Sequence, residues 1–138
     1  MPTAKDPGTR NRLNLLDENF PEDQRFLLRK WRIPFRQVGR EFACPGAQDA
    51  EILVLLHEQR RVTCFTRDQD FFDASLCHVA YCLVFLDVRA DDAAYHVGCF
   101  LRHARFKSTV KRMGVVARVH HDCIHFWQRN RRVLQFAA

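Results

Sequence analysis

Residues 61–73 read RVTCFTRDQDFFD, an apolar run that ends in a group of acidic residues. Residues 62–65 are short, apolar and rich in β-favouring side chains, which predicts a buried strand. Asp68 and Asp70 follow this strand directly, and a short helix is predicted at residues 71–77. Carboxylates held close together raise one another's pKa values. The end of this strand therefore needs a positively charged partner.

Apolar strands and amphipathic helices alternate on both sides of this stretch. Further strands are predicted at residues 12–16, 35–38 and 82–88, and helices at residues 22–31, 49–59 and 93–112. Gly114 ends the last helix, and residues 115–119 and 123–127 then predict a terminal hairpin or one irregular strand. Strands that alternate with helices predict an α/β fold with a mostly parallel sheet covered on both faces.

The composition is that of one globular domain. The chain has 138 residues, of which 47% are hydrophobic and 28% charged, enough for one core and too few for two. Residues 1–11 are polar and predict a flexible lead-in, which leaves residues 12–138 as a single domain. No apolar stretch approaches the roughly 20 residues of a membrane span, so we expect a cytoplasmic protein without a membrane partner. The six cysteines lack metal-binding spacing, and we expect reduced core thiols.

Charge is unevenly distributed along this chain of net charge +6. After Asp92 the only acidic residue is Asp122, whereas nine lysines and arginines lie in the same basic C-terminal third. A basic surface suits a polyanion such as RNA, although composition fits a basic domain without a nucleic-acid partner equally well. The candidate nucleic-acid contacts are Arg67, Arg102, Lys111 and Arg118.

Acidic residues end two predicted strands and begin one helix. Asp17 follows the first strand, Asp68 and Asp70 follow the third, and Asp49 starts the second helix. Because ligands of open parallel sheets lie beyond the carboxyl ends of the strands, we expect these carboxylates to converge. Oxygen ligands without histidine or thiolate select Mg²⁺ or Mn²⁺, and such an ion activates water for attack on a phosphodiester. Each acid taken alone also fits a turn or a helix cap.

Three blocks of the sequence resemble a known family. They are LLDENFP at residues 15–21, PGAQDAEIL at residues 45–53 and RVTCFTRDQDF at residues 61–71. Their order and spacing are similar to the motifs of PIN-like domains of the DUF5615 and Mut7-C type, relatives of the VapC toxin ribonucleases. The resemblance covers about residues 13–73, and beyond them only the order of elements agrees.

The resemblance implies a PIN-like three-layer α/β/α sandwich that depends on Mg²⁺ or Mn²⁺. The implied reaction is hydrolysis of single-stranded RNA to a 5′-phosphate and a 3′-hydroxyl. It also implies a toxin–antitoxin pair in which a small antitoxin protein plugs the site, and PIN-like proteins commonly form homodimers.

Carried over residue by residue, the resemblance makes Asp17, Asp49, Asp68 and Asp70 the metal-binding and catalytic acids. Glu51 is the alternative to Asp49, because many VapC proteins carry a glutamate on this helix. Positions two apart on a helix differ by about 200°, so only one of the two can face the pocket.

We prefer Asp49, which shares a helix face with the apolar residues Ile52 and Leu56. Two supporting roles are also predicted. Thr66 orients an acid or a water, and Asn19 supports Asp17 through its amide.

Other functions fit parts of the sequence. Asp87 at the end of the strand at residues 82–88 resembles the phosphoacceptor of a receiver-type signalling domain, although the Asp68 and Asp70 pair then has no role. A PIN-like module that binds RNA or protein without cutting is another alternative. A zinc site among residues 120–125 lacks standard ligand spacing, and histidines that are solvated or contact RNA are the simpler interpretation.

Overall fold

The computed structural model describes residues 13–138, and the predicted flexible segment at residues 1–11 lies outside them. Within this range the protein is an α/β fold with one seven-stranded sheet and four helices. The strands are β1 (Leu13–Leu16), β2 (Arg36–Gln37), β3 (Val62–Thr66), β4 (Tyr81–Leu86), β5 (Val115–Val119), β6 (Ile124–Gln128) and β7 (Arg131–Ala137). The helices are α1 (Glu22–Lys30), α2 (Asp49–Gln59), α3 (Ala93–Arg102) and α4 (Thr109–Arg112).

The sheet is mixed, with the strand order β2-β1-β3-β4-β5-β6-β7. The strands β1 to β5 pair in parallel, and β6 and β7 continue the sheet in antiparallel pairing. The tight turns at residues 120–123 and 129–130 explain this change, because a short connection joins only antiparallel neighbours. The predicted terminal hairpin is confirmed as β5 and β6. The seventh strand was not predicted.

The helices contribute to two separate buried clusters. Leu28 of α1 and Phe100 of α3 belong to one buried cluster, whereas Ile52 and Leu56 of α2 belong to a second cluster. Every residue of β3 and β4 is buried. Strands covered on both sides are apolar at consecutive positions, which explains why these segments showed no polar alternation.

The predicted long helix at residues 93–112 is wrong, because it breaks after Arg102. The chain turns so that Phe106 is buried, with its ring stacked on that of Phe100 at a centroid distance of 4.7 Å. The Ser108 hydroxyl then caps α4 by accepting a hydrogen bond from the Lys111 N–H. Gly114 ends α4 as predicted, and its φ of +87° is one that glycine adopts without strain.

The predicted short helix at residues 71–77 is two separate 3₁₀ turns, Gln69–Phe71 and Ala74–Leu76. In each, an aspartate precedes the turn and accepts a hydrogen bond from the N–H two residues later. Such local bonds favour a tight turn over a continuous helix. Over residues 13–138 no helix is long and apolar enough to cross a membrane.

All six cysteines are free. Cys64 and Cys82 lie in the core, where burial raises the pKa of both thiols. Cys44 is exposed instead, so the prediction of core thiols is right for only part of the set.

Candidate metal centre

Three aspartates converge at the carboxyl end of β3. Asp49, Asp68 and Asp70, here called the acidic trio, each place one carboxylate oxygen within 4.8 Å of the other two. Two oxygens that share one Mg²⁺ at about 2.1 Å lie about 3–4 Å apart. Asp49 and Asp70 are exposed and Asp68 is partly buried.

The residues of the acidic trio come from two segments that are separate in the sequence. Asp49 is the first residue of α2, while Asp68 and Asp70 belong to the turn after β3. The pKa of Asp49 is raised, first by partial burial and then by the negative charges of Asp68 and Asp70. This mutual repulsion is what a bound cation would relieve.

Asp17 lies beside the acidic trio and is not a member of it. Its Oδ2 accepts hydrogen bonds from the Thr66 hydroxyl at 3.2 Å and from the Arg67 N–H at 3.1 Å. Its Oδ1 is buried and has no hydrogen-bond partner among residues 13–138. Burial raises the pKa of Asp17 against the lowering effect of these hydrogen bonds, and the charge of Asp68 adds to the increase. Asp17 therefore has one oxygen held in place and one buried oxygen that lacks a positive partner.

Thr66 connects these acids through its hydroxyl. Its hydroxyl donates to Asp17 and accepts a hydrogen bond from the Asp68 N–H at 3.0 Å. Asp68 in turn accepts the Asp70 N–H at 2.9 Å through Oδ1. A chain of hydrogen bonds thus holds the ends of β1 and β3 in a fixed relation.

Glu51 is not a member of the acidic trio. Its Oε1 accepts a hydrogen bond from the Gln48 N–H at 3.2 Å and completes a capping box at the start of α2. The preference for Asp49 as the helix acid agrees with this geometry, since Asp49 is the one that joins the acidic trio.

The loop after β1 is supported by residues that sequence reasoning missed. Asn19 is exposed, and the supporting amide belongs to Gln37, which donates to the carbonyl oxygens of Asp17, Glu18 and Phe20. Glu18 Oε1 accepts the Gly46 N–H at 2.8 Å and ties this loop to the segment before α2. Gln37 is buried, and its amide finds the partners that a buried amide needs in these carbonyl oxygens. The sequence around Gln37 carries no signal of this role.

The four predicted nucleic-acid contacts are not gathered at one place, although Arg67 and Arg118 both contact the segment after β4. Arg67 is exposed beside the trio, and its Nη2 donates to the Val88 carbonyl at 3.4 Å. Arg118 lies on β5 and pairs with Asp87. Two others contact their own segment, since Arg102 packs over Gly98 and Lys111 donates to the Ala104 carbonyl.

Lys111 belongs to α4, directly before β5, and so lies at the amino ends of the parallel strands. The acidic trio lies at their carboxyl ends. Lys111 is therefore removed from the trio.

The histidine-rich segment after β5 holds pairs of polar side chains. His120 Nδ1 lies 3.5 Å from Asp87 Oδ2, and Cys123 Sγ lies 3.6 Å from His125 Nε2. Among residues 13–138, only the acidic trio brings three potential metal ligands together. Within the described residues, the segment 120–125 therefore does not bring together the ligands that a zinc site needs.

Comparisons of the chain with protein-family models, curated proteins and solved structures find no match.

Proposed function

We propose that this protein is a metal-dependent endoribonuclease of the PIN-like type. The observation that carries the proposal is the convergence of the acidic trio beside Asp17, whose Oδ1 is buried. The strand order fits this position, because β2 and β3 lie on opposite sides of β1 and ligands of open α/β sheets bind at such a switch point. The proposed fold description is a PIN-like three-layer α/β/α sandwich built on the mostly parallel part of the sheet.

The residues present fit a hard divalent cation such as Mg²⁺ or Mn²⁺. The donor set is all carboxylate, the ligands that these ions prefer. Both Asp17 and Asp49 have raised pKa values, and Asp17 Oδ1 is buried with no hydrogen-bond partner in the described part of the chain. A cation among these oxygens would favour their ionised forms and satisfy the orphaned oxygen.

Asp49, Asp68 and Asp70 would hold the ion, with Asp17 beside them as a ligand or as an acceptor for a bound water. Such an ion lowers the pKa of water and stabilises charge on a phosphodiester. Thr66 and the Arg67 N–H hold Asp17 in position. The exposed side chain of Arg67 is the proposed contact for an RNA phosphate. The proposed products are a 5′-phosphate and a 3′-hydroxyl.

The proposed role is that of the toxin of a cytoplasmic toxin–antitoxin pair. A small antitoxin protein that covers the acidic trio would inhibit it, and a homodimer is the proposed assembly. The resemblance in residues 15–21, 45–53 and 61–71 supports these partners.

A receiver-type signalling domain is the second candidate. The order β2-β1-β3-β4-β5 in the parallel part of the sheet is also used by receiver domains. Asp87 follows β4, but its Oδ2 accepts two hydrogen bonds from Arg118, at 2.6 and 3.0 Å. A phosphoacceptor held in this way would have to break an ion pair first, so the nuclease is the better supported function.

The decisive experiment is an RNA cleavage assay with unstructured and structured RNA, with and without Mn²⁺. Asp68→Asn should abolish cleavage and leave the fold intact, because the amide oxygen can still accept the Asp70 N–H. The matched control is Asp91→Asn, which changes an exposed aspartate whose ion pair with Arg89 is also exposed. Cleavage by Asp68→Asn at the parent rate would show that the assigned site is wrong.

A further inference from the structure

An open groove lies next to the acidic trio. Its volume is about 670 Å³, and Asp70 contributes both to its wall and to the trio. Phe72 continues this wall, Arg118 and Trp127 line the groove from β5 and β6, and Phe85 lines it from β4. We call this the side groove. Its volume is within the range of small-molecule sites.

The side groove and the metal centre share one face of the sheet. Thr66, Phe85 and Arg118 are register partners on β3, β4 and β5. Side chains at paired positions of neighbouring strands point to the same face. The Thr66 hydroxyl donates a hydrogen bond to Asp17. The three paired side chains therefore form a row that extends from the acids to the side groove.

Polar and aromatic side chains both line the side groove, with Gln69, Asp70 and Asp73 beside Phe72, Phe85 and Trp127. Phe72 and Trp127 are partly buried and pack against the second core cluster, which limits their rotation. Aromatic side chains of this kind are the platforms on which bases of single-stranded nucleic acids stack. A rigid ring also loses little conformational entropy when a ligand binds.

Arg118 adds a planar guanidinium whose charge is largely balanced. Its Nη2 and Nε both donate to Asp87 Oδ2, at 2.6 and 3.0 Å, and the Arg118 side chain remains 36% exposed. A guanidinium paired in this way is a weaker phosphate ligand than a free one, but its flat face can still stack on a base. The chemistry of the groove therefore fits a nucleobase better than a phosphate.

We propose that the side groove binds an unstacked base of the RNA strand whose phosphate lies at the acidic trio. This inference rests on the proposed function, which supplies the position of that phosphate. Because Asp70 belongs to both sites, the base and the phosphate come from adjacent parts of one strand. A base inside a duplex is paired and stacked on both sides, so the groove selects RNA that is single-stranded at the cleavage position.

Fluorescence tests this inference directly, because the chain has only two tryptophans. In the Trp31→Phe variant, Trp127 is the sole tryptophan. An eight-nucleotide single-stranded RNA should quench its emission in Ca²⁺, with electrophoresis used to verify that the RNA stays intact. The same RNA annealed to its complement should quench it at least fivefold more weakly. The matched control is Trp127→Phe, whose remaining Trp31 should not respond.

Kinetics in Mn²⁺ provide the second test. Trp127→Ala should lower kcat/KM on single-stranded RNA about tenfold, the scale of one lost base-stacking contact. Trp127→Phe should recover most of this loss, which separates stacking from misfolding. Trp31→Ala, which truncates a tryptophan that is 44% exposed and outside the groove, should leave kcat/KM unchanged.

The outcomes separate this inference from the proposed function. If RNA is cleaved but Trp127 fluorescence does not change and Trp127→Ala keeps the parent kcat/KM, the groove assignment is overturned and the nuclease stands. If quenching by single-stranded RNA occurs without cleavage in Mn²⁺, the groove binds RNA and the nuclease proposal fails. Equal quenching by duplex RNA overturns the selection of an unstacked base.

Discussion

Thr66 donates a hydrogen bond to Asp17 over 3.2 Å, which joins residues 49 positions apart in the chain. The same hydroxyl accepts the Asp68 N–H, so one side chain links the loops that follow β1 and β3. Thr66 is almost fully buried, and a buried carboxylate that loses its donor is destabilised. The contact therefore contributes to both the fold and the arrangement of the acids.

The first prediction concerns this hydroxyl. Thr66→Val keeps the shape of the side chain but removes the hydrogen bond, and we expect a loss of about 1–3 kcal/mol in the free energy of unfolding. Thr66→Ser should retain most of it. Urea denaturation in the absence of metal measures both. Equal stability of the valine and serine variants would contradict the role assigned to this contact.

The two acids at the start of α2 should have separable effects. Asp49→Asn should weaken Mn²⁺ binding at least tenfold and leave stability nearly unchanged. Glu51→Gln should retain Mn²⁺ affinity and cost at most about 1 kcal/mol of stability, because it weakens only a cap. Calorimetric titration with Mn²⁺ and urea denaturation report the two quantities. The reverse pattern would make Glu51 the helix acid.

Stability without metal should depend on pH in a defined direction. The pKa of Asp17 is raised in the fold, first by burial, so the native state retains a proton that the unfolded chain has lost. Metal-free stability should therefore fall as pH rises from the usual aspartate pKa of 3.8 through the raised value. Asp49 contributes in the same direction.

Asp17→Asn should remove most of this decrease, and Mn²⁺ should oppose it in the parent protein by binding the ionised acids. Thermal melts between pH 4 and pH 8, with EDTA or with Mn²⁺, measure both effects. Parallel pH profiles of parent and variant would show that Asp17 is not the group responsible.

The nuclease and receiver functions predict different effects of the Asp87→Asn substitution. If the protein is a nuclease, Asp87→Asn should retain Mn²⁺-dependent cleavage within a few-fold, and incubation with acetyl phosphate should not label the parent chain. Intact-mass spectrometry detects a phosphoryl group directly. Labelling that is lost in Asp87→Asn, together with no RNA cleavage, would favour the receiver.

Much of the fold follows from local sequence patterns. The apolar runs predicted β3 and β4 nearly to their ends, and α2 matches its predicted range, residues 49–59. The meeting of Asp49 with the acids after β3 was also predictable, because parallel strands end at one edge of a sheet. These features depend on periodicity and on a general rule of topology.

Features that depend on tertiary contacts were not predictable in the same way. The break after Arg102 exists because Phe106 has to reach the core, which periodicity within residues 93–112 does not show. Asp17 was expected among the metal ligands, yet its carboxylate is turned toward Thr66. The role of Gln37 depends on where the loop after β1 passes. Each of these follows from distant neighbours rather than from the residue's own segment.

The strands β6 and β7 extend the parallel part of the sheet. This arrangement affects how the sequence of the protein can change in evolution. All four acids precede residue 71, whereas Arg118 and Trp127 lie on strands that begin after residue 114. Under the proposed function, bond breaking would depend on the earlier portion of the chain, while Arg118 and Trp127 would add a contribution to substrate choice from the later portion. Substitutions at these two positions would then alter the preferred nucleotide while the acids are inherited unchanged.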